Sequence, residues 1–234
     1  MVWRSTLAWT MAVGQTLGRG LFAVPAGMRG DMRGVERQQR KWGEGILRAA
    51  GARLTVFGAE NIDAKRPYVV VSNHASLLDP PALFAALPIG MTYVAKIELL
   101  AVPVFGAIIG RTGAVFVPRT DHDRSHQAMQ LAAKRVREGQ NVLVFAEGTR
   151  SRDGRLQPFK KGAFVLAIAA GADILPVTIR GSHALMPAHG NKIRSGPLEV
   201  HIHPPIRTAG LEYSDREQLR LMTQAAVASL MPAN

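Results

Sequence analysis

The chain has 234 residues and no cysteine, and its lysines and arginines outnumber its aspartates and glutamates by 29 to 17. That length suits one generous α/β domain, and an apolar content of 47% supplies a full core. The missing cysteines exclude disulfides, thiolate nucleophiles and cysteine metal sites, while a surplus of 12 positive charges favours an anionic partner: nucleic acid, anionic lipid, or a phosphorylated or coenzyme-bearing substrate.

Residues 2–24 mix Trp3, Leu7, Trp9, Met11, Val13, Leu17, Leu21 and Phe22 with Arg4, Gln15 and Arg19, and read as an apolar helix that breaks at Pro25 and Gly27. A second helix is expected over 32–50, with Arg33, Arg37, Arg40, Lys41 and Arg48 alongside Trp42, Ile46 and Leu47. Such a pair suits an anionic membrane surface, with apolar side chains in the acyl boundary and arginines among headgroups. It also suits a helical hairpin packed on its own domain with a solvated basic face. No transmembrane span is expected. The longest charge-free runs, 5–18 and 80–95, fall short of the roughly 18–20 apolar residues required, and the second contains three prolines. A signal peptide is not expected either, because the start carries a single early Arg4 and residues 23–27 lead into a basic, helix-like segment.

From residue 53 the rhythm changes to short β-branched runs separated by helical stretches, which is an α/β pattern. Strands are expected at 54–57, 68–72, 92–95, 114–117, 141–145, 174–179 and 198–203, and helices at about 79–87, 121–138, 161–170 and 214–231. No internal repeat or low-complexity linker interrupts them. The reading is an N-terminal helical arm over 1–50 followed by one α/β domain over 51–234.

Three strand ends carry candidate chemistry. After the apolar run 68–72 comes Asn73-His74-Ala75-Ser76-Leu77-Leu78-Asp79-Pro80. A histidine titrates near neutrality, with an ordinary pKa of about 6.5, and an aspartate five residues on lies little more than one helical turn away if a helix starts after Asn73. Such a pair can act as a base and its orienting carboxylate, although a histidine at a strand end is more often a satisfied polar residue. The second block runs from Lys96-Ile97-Glu98-Leu99 through Gly113 to Val115-Phe116-Val117-Pro118-Arg119, again delivering a cation at a strand end. The third, Phe145-Ala146-Glu147-Gly148-Thr149-Arg150-Ser151, combines a glycine that permits close backbone approach with a forked donor suited to phosphate. Phe159-Lys160-Lys161-Gly162 then opens a helix whose first amides favour an anion, though scattered surface cations read equally well. Open α/β sheets bind ligands beyond the carboxyl ends of their strands, so His74, Arg119 and Arg150 at three such ends point to one site.

These blocks, with Leu175-Pro176-Val177, stand in the order and spacing of the four motifs of the glycerolipid acyltransferases. Over residues 55–180 the chain resembles, most closely, the bacterial 1-acylglycerol-3-phosphate acyltransferases of the PlsC type. One departure is Pro118, where many relatives place a polar residue before the arginine. The resemblance implies a single mixed-sheet acyltransferase domain flanked by helices, with the arm as a two-helix membrane-associating element. It implies transfer of a fatty acyl group from acyl-CoA or acyl carrier protein to the sn-2 hydroxyl of lysophosphatidic acid, giving phosphatidic acid. His74 would then be the general base and Asp79 its orienting partner, and the acceptor hydroxyl would attack the thioester without an enzyme nucleophile. That accords with the lack of cysteine and of a Gly-x-Ser-x-Gly elbow. Arg119 and Arg150, helped by Lys96, would hold the acceptor phosphate. Asn73, Glu147, Gly148 and Thr149 would complete the substrate-binding set, the glutamate positioning a cation or a glycerol oxygen.

No cofactor beyond the acyl donor and no metal is implied, and His122, His126, His183, His189, His201 and His203 lack ligand-like spacing with carboxylates. The expected location is the cytoplasmic face of the inner (plasma) membrane, in association with an anionic surface. Other acceptors, namely glycerol 3-phosphate, another lysophospholipid or a lyso-ornithine lipid, would use the same catalytic block. A non-catalytic basic protein at a membrane or on nucleic acid is the reading from a different class. Against it stand the cations at strand ends beside a His-Asp pair and the absence of a recognition-helix or RNA-binding motif, so no nucleic-acid partner is expected.

Overall fold

The computed structural model describes residues 2–118, 121–188 and 190–231. Two helices open the chain, α1 (Val2–Met28) and α2 (Met32–Ala50). There follow β1 (Ala52–Phe57), β2 (Val69–Ser72), α3 (Asp79–Ala86), β3 (Met91–Lys96), α4 (Phe105–Gly110), β4 (Val115–Val117), α5 (His122–Arg137) and β5 (Asn141–Phe145). The last elements are α6 (Gly162–Ala170), β6 (Ile174–Arg180), α7 (Ser182–Leu185), β7 (Gly196–Ile202) and α8 (Arg216–Ala228). Among the described residues the strands form one sheet in the order β1-β7-β6-β2-β5-β3-β4. The sheet is mixed, as expected: β7 runs antiparallel to β6 and parallel to β1, and the other pairings are parallel.

Alternation along the central strands builds the core on both faces. Val70, Leu143, Leu175, Val177 and Ile179 point to the side covered by α2 and α3, while Val69, Val71, Val142, Val144 and Ile174 point to the side covered by α5, α6 and α8. All four residues of β2 are buried, which is why that strand reads as an unbroken apolar run rather than an alternating one. The helices that the parallel crossovers require shield both faces.

Two expectations change. First, α1 does not break at Pro25 but continues to Met28 with the proline inside it. Pro25 removes one amide donor within the final turn only, and the carbonyls there are still used, with Arg29 N–H donating to Pro25 and Asp31 N–H to Ala26 at 2.9 Å. Gly27 lies tightly against the Arg111 carbonyl, so the end of α1 is also held from outside. Second, α4 arises inside the block read only as a motif, because six residues are too few to show a helical period.

The compositional boundary at residue 50 is not a boundary of packing. Asp31 caps α2 by accepting from the Gly34 N–H at 2.8 Å, and Ile46, Leu47 and Ala50 enter the same cluster as Leu83, Leu143 and Leu175. Trp42 meets Phe84 edge-on at 6.2 Å between ring centres. At Gly43 the backbones of α2 and α3 approach so closely that an added Cβ would lie 2.5 Å from the Pro81 carbonyl oxygen and 3.2 Å from the Ala85 nitrogen. Helix α1, by contrast, leaves Trp3, Leu7, Val13, Leu17, Leu21, Phe22 and Met28 exposed, Trp3 at 90%. Among the described residues no helix is long and apolar enough to cross a membrane.

The close approach at Gly43 sets an expected outcome. Gly43→Ala destabilises the fold by about 1–3 kcal/mol through overpacking, whereas Gly14→Ala on α1, where nothing lies within 4 Å, is neutral or stabilising. Denaturant unfolding of the two variants checks both directions, and a neutral Gly43→Ala would show that α2 and α3 are not rigidly apposed.

Candidate active site

Parallel register brings the candidate loops to one edge of the sheet. Ser72 at the end of β2 is level with Phe145 at the end of β5, and Tyr93 of β3 is level with Leu143, which carries Lys96 to the height of the loop following Phe145. Lys96 pairs with Val117 across β3 and β4. The loops after β2, β5, β3 and β4 are therefore neighbours on consecutive strands. Arg119 lies outside the described residues.

Asp79 opens α3 and is fully buried. Its Oδ2 accepts three hydrogen bonds, from the backbone N–H groups of Ala75 and Ser76 at 2.7 Å each and from His74 Nδ1 at 2.8 Å. The other oxygen, Oδ1, is buried without a partner among the described residues, and Pro80 and Pro81 directly after it can offer no N–H. With a carboxylate oxygen as its neighbour Nδ1 carries the ring proton, which leaves the Nε2 lone pair as the basic face. The His74 ring stacks on Phe145 with centres 4.0 Å apart and planes 17° apart.

The main chain of His74 is held as firmly as its ring. Its N–H donates to Glu147 Oε1 at 2.6 Å, and its carbonyl accepts from the Ser151 N–H at 2.7 Å. The second oxygen of Glu147 accepts from the Gln157 N–H at 3.1 Å. Glu147 is buried, and burial raises its pKa to about 7 against the opposing effect of those two N–H donors. Each of its oxygens accepts from a backbone amide, so the glutamate braces the histidine loop, a task the sequence alone did not announce.

Asn73 is also engaged within the protein. It is buried, its amide donates to the Ile179 carbonyl at 2.9 Å, and its carbonyl oxygen accepts from the Ile179 N–H at 2.8 Å. The side chain thus acts as a rung extending the β2-β6 ladder past Ser72, and no donor or acceptor pattern of strand residues would have announced it. Of the remaining candidates, Lys96 and Thr149 are exposed and Arg150 is half-buried at this edge. Gly148 has φ +76°, a left-handed turn that glycine adopts without strain. The stacking of Phe145 and the amide of Ser151 were contained in the sequence block without any residue-level signal of their task.

Of the other described histidines, His201 bonds Glu199 at 2.9 Å and stacks on Phe57, His203 bonds Thr178 at 2.8 Å, His126 bonds Gln130 at 2.9 Å, and His183 Nε2 lies 3.2 Å from the Arg152 carbonyl oxygen, just past the 145–151 loop. His189 lies outside the described residues.

The acyltransferase family model matches residues 53–180. A 1-acyl-sn-glycerol-3-phosphate acyltransferase of Borreliella burgdorferi is 33% identical over 172 residues, covering 73% of this chain and 68% of that protein. A chloroplastic 1-acyl-sn-glycerol-3-phosphate acyltransferase of Brassica napus is 37% identical over 158 residues, covering 66% of this chain and 45% of that protein. This chain therefore spans about half the length of the plant relative. The crystal structure of the 1-acyl-sn-glycerophosphate acyltransferase PlsC from Thermotoga maritima superposes with a TM-score of 0.83 at 25% identity, over 100% of this chain and 98% of that one. With a family model matching residues 53–180, more than half of the chain, and its two-helix arm included in the superposition, the chain belongs to the acyltransferase family, among relatives that are 1-acyl-sn-glycerol-3-phosphate acyltransferases.

Proposed function

We propose that this chain transfers a fatty acyl group from acyl-CoA or acyl carrier protein to the sn-2 hydroxyl of lysophosphatidic acid, forming phosphatidic acid. The observation that carries the reading is the 2.8 Å contact between His74 Nδ1 and Asp79 Oδ2 at the strand ends, which frees Nε2 as a base. Nε2 takes the hydroxyl proton as the alkoxide oxygen bonds to the thioester carbonyl carbon. Collapse of the adduct breaks the carbon–sulfur bond, and the imidazolium returns the proton to the departing thiolate. Asp79 and the face of Phe145 both favour the imidazolium while it lasts. Lys96, Arg119 and Arg150 supply positive charge for the acceptor phosphate, which would set the hydroxyl against Nε2. A thioester is already activated, so the step calls for no cofactor besides the donor.

The same reading places the enzyme on an anionic membrane, at the cytoplasmic face of the inner (plasma) membrane. Supporting it are the apolar side chains that α1 leaves exposed and the exposed stripe of Arg33, Arg37, Lys41 and Arg48 along α2. An amphiphilic acceptor could then reach the site without leaving the bilayer surface.

Three outcomes are expected. His74→Ala lowers kcat with lysophosphatidic acid by about two to four orders of magnitude with the fold intact by circular dichroism, and near wild-type turnover would exclude the mechanism. The double substitution Leu17→Asp, Leu21→Asp weakens sedimentation with anionic vesicles while leaving the melting temperature unchanged, whereas unchanged sedimentation would move the membrane contact off α1. Because burial raises the pKa of Glu147 to about 7, its contribution to stability is complete below about pH 4.5 and is lost as pH rises through 7. The stability of Glu147→Gln relative to wild type therefore improves over that interval, by at most about 3 kcal/mol, and a flat difference across pH would argue against a buried acid.

A further inference from the structure

Lys160 is a cation at the site edge that the proposed reaction leaves without a task. Its N–H donates to the Ala146 carbonyl at 2.7 Å, and the preceding Phe159 N–H donates to Gln224 Oε1 at 3.0 Å, so its backbone is pinned beside the 145–151 loop. From there the side chain lies back over Gly148. A Cβ built on that glycine would sit 3.0 Å from both Cε and Nζ of the lysine, which places the ammonium against the turn, while the positive φ is what calls for glycine there.

The adjacent Lys161 behaves differently, pairing with Glu217 at 3.4 Å on α8. Among the described residues the Lys160 ammonium has no carboxylate within ion-pair distance. The acid closest in the loop, Glu147, is committed through both oxygens to the amides of His74 and Gln157. Arg150 lies two residues beyond Gly148 on the same loop, so this turn carries a second cation, and among the described residues neither is in an ion pair. Two cations left unpaired at one edge are available to an anion.

We propose that Lys160 is a phosphate-binding residue, its ammonium over Gly148 serving, with the loop that carries Arg150, to hold a phosphomonoester dianion. The proposal rests on the acyltransferase reading for its setting. The same group occurs on a lysophosphatidic acid headgroup and as the 3′-phosphate of coenzyme A, and the test separates these sources.

Steady-state kinetics of the full chain with acyl-CoA and lysophosphatidic acid, each varied in turn, are compared for wild type, Lys160→Gln, Lys160→Arg and Lys161→Gln. Lys160→Gln is expected to raise KM for one phosphate-bearing substrate roughly five- to twenty-fold with little change in kcat, as for loss of one charge-assisted contact. Lys160→Arg recovers most of this loss, and Lys161→Gln stays within about twofold of wild type, its lysine being engaged with Glu217. A rise confined to lysophosphatidic acid assigns the acceptor phosphate, and one confined to acyl-CoA assigns the donor. Unchanged KM for both overturns the proposal. A measurement without turnover keeps the two readings apart: glycerol 3-phosphate and, separately, adenosine 3′,5′-bisphosphate titrated into each protein and followed by calorimetry. Weaker binding by Lys160→Gln in a protein that does not acylate lysophosphatidic acid would refute the proposed reaction and leave the role of Lys160 standing. Equal binding of both ligands by wild type and Lys160→Gln, or no saturable binding of either by wild type, refutes that role.

Discussion

One buried carboxylate oxygen organises the end of the sheet. Asp79 Oδ2 takes hydrogen bonds from two successive backbone amides and from the His74 ring, closing residues 74–79 into a tight turn at the start of α3. A buried carboxylate is costly unless it is met by donors, and here the same three donors that offset the cost also define the tautomer and direction of the imidazole. The geometry of the base and the local fold are thus one set of bonds. The second oxygen finds no donor among the described residues, so all the orienting interaction passes through Oδ2.

The loop after β5 completes the arrangement from the other side. It grips the His74 main chain at both N–H and carbonyl and lays Phe145 beneath the ring, so the histidine is fixed from two strands that are level in the sheet. Glu147 can do this because it is withdrawn from solvent, which also makes its ionisation sensitive to pH near neutrality. On the proposed reading, substrate contact falls to the cations at the rim, among which Lys96 is exposed and Arg150 half-buried. The arm is built on a related division: α2 is committed to the core through Ile46, Leu47 and the close approach at Gly43, and α1 rests on it with its apolar side chains turned outward.

Much of this was legible beforehand because it is periodic or locally spaced. The seven strands were placed within a few residues, since buried β-branched runs are short and separated by helical patterns. His74 and Asp79 could be paired because five residues across a helix start is a local distance. Pro25 misled, as a proline in a final turn removes only one bond while tertiary contact holds the helix end. Helix α4 was too short to show a period.

What the sequence determined by itself was the order of strands and helices, the His-Asp pair and the supply of cations at strand ends, all of which follow from spacing along the chain. The work done by polar side chains across strands was decided only by the tertiary structure. Asn73 and Glu147 look like ligands in a motif, yet each reaches a partner more than 70 residues away in the chain and is engaged there by backbone groups. Lys160 and Lys161 are identical neighbours, separated in role because one faces Glu217 and the other lies over Gly148. A side chain's chemistry is written in its type, but whether that chemistry is still available depends on which distant backbone groups the fold brings within 3 Å of it.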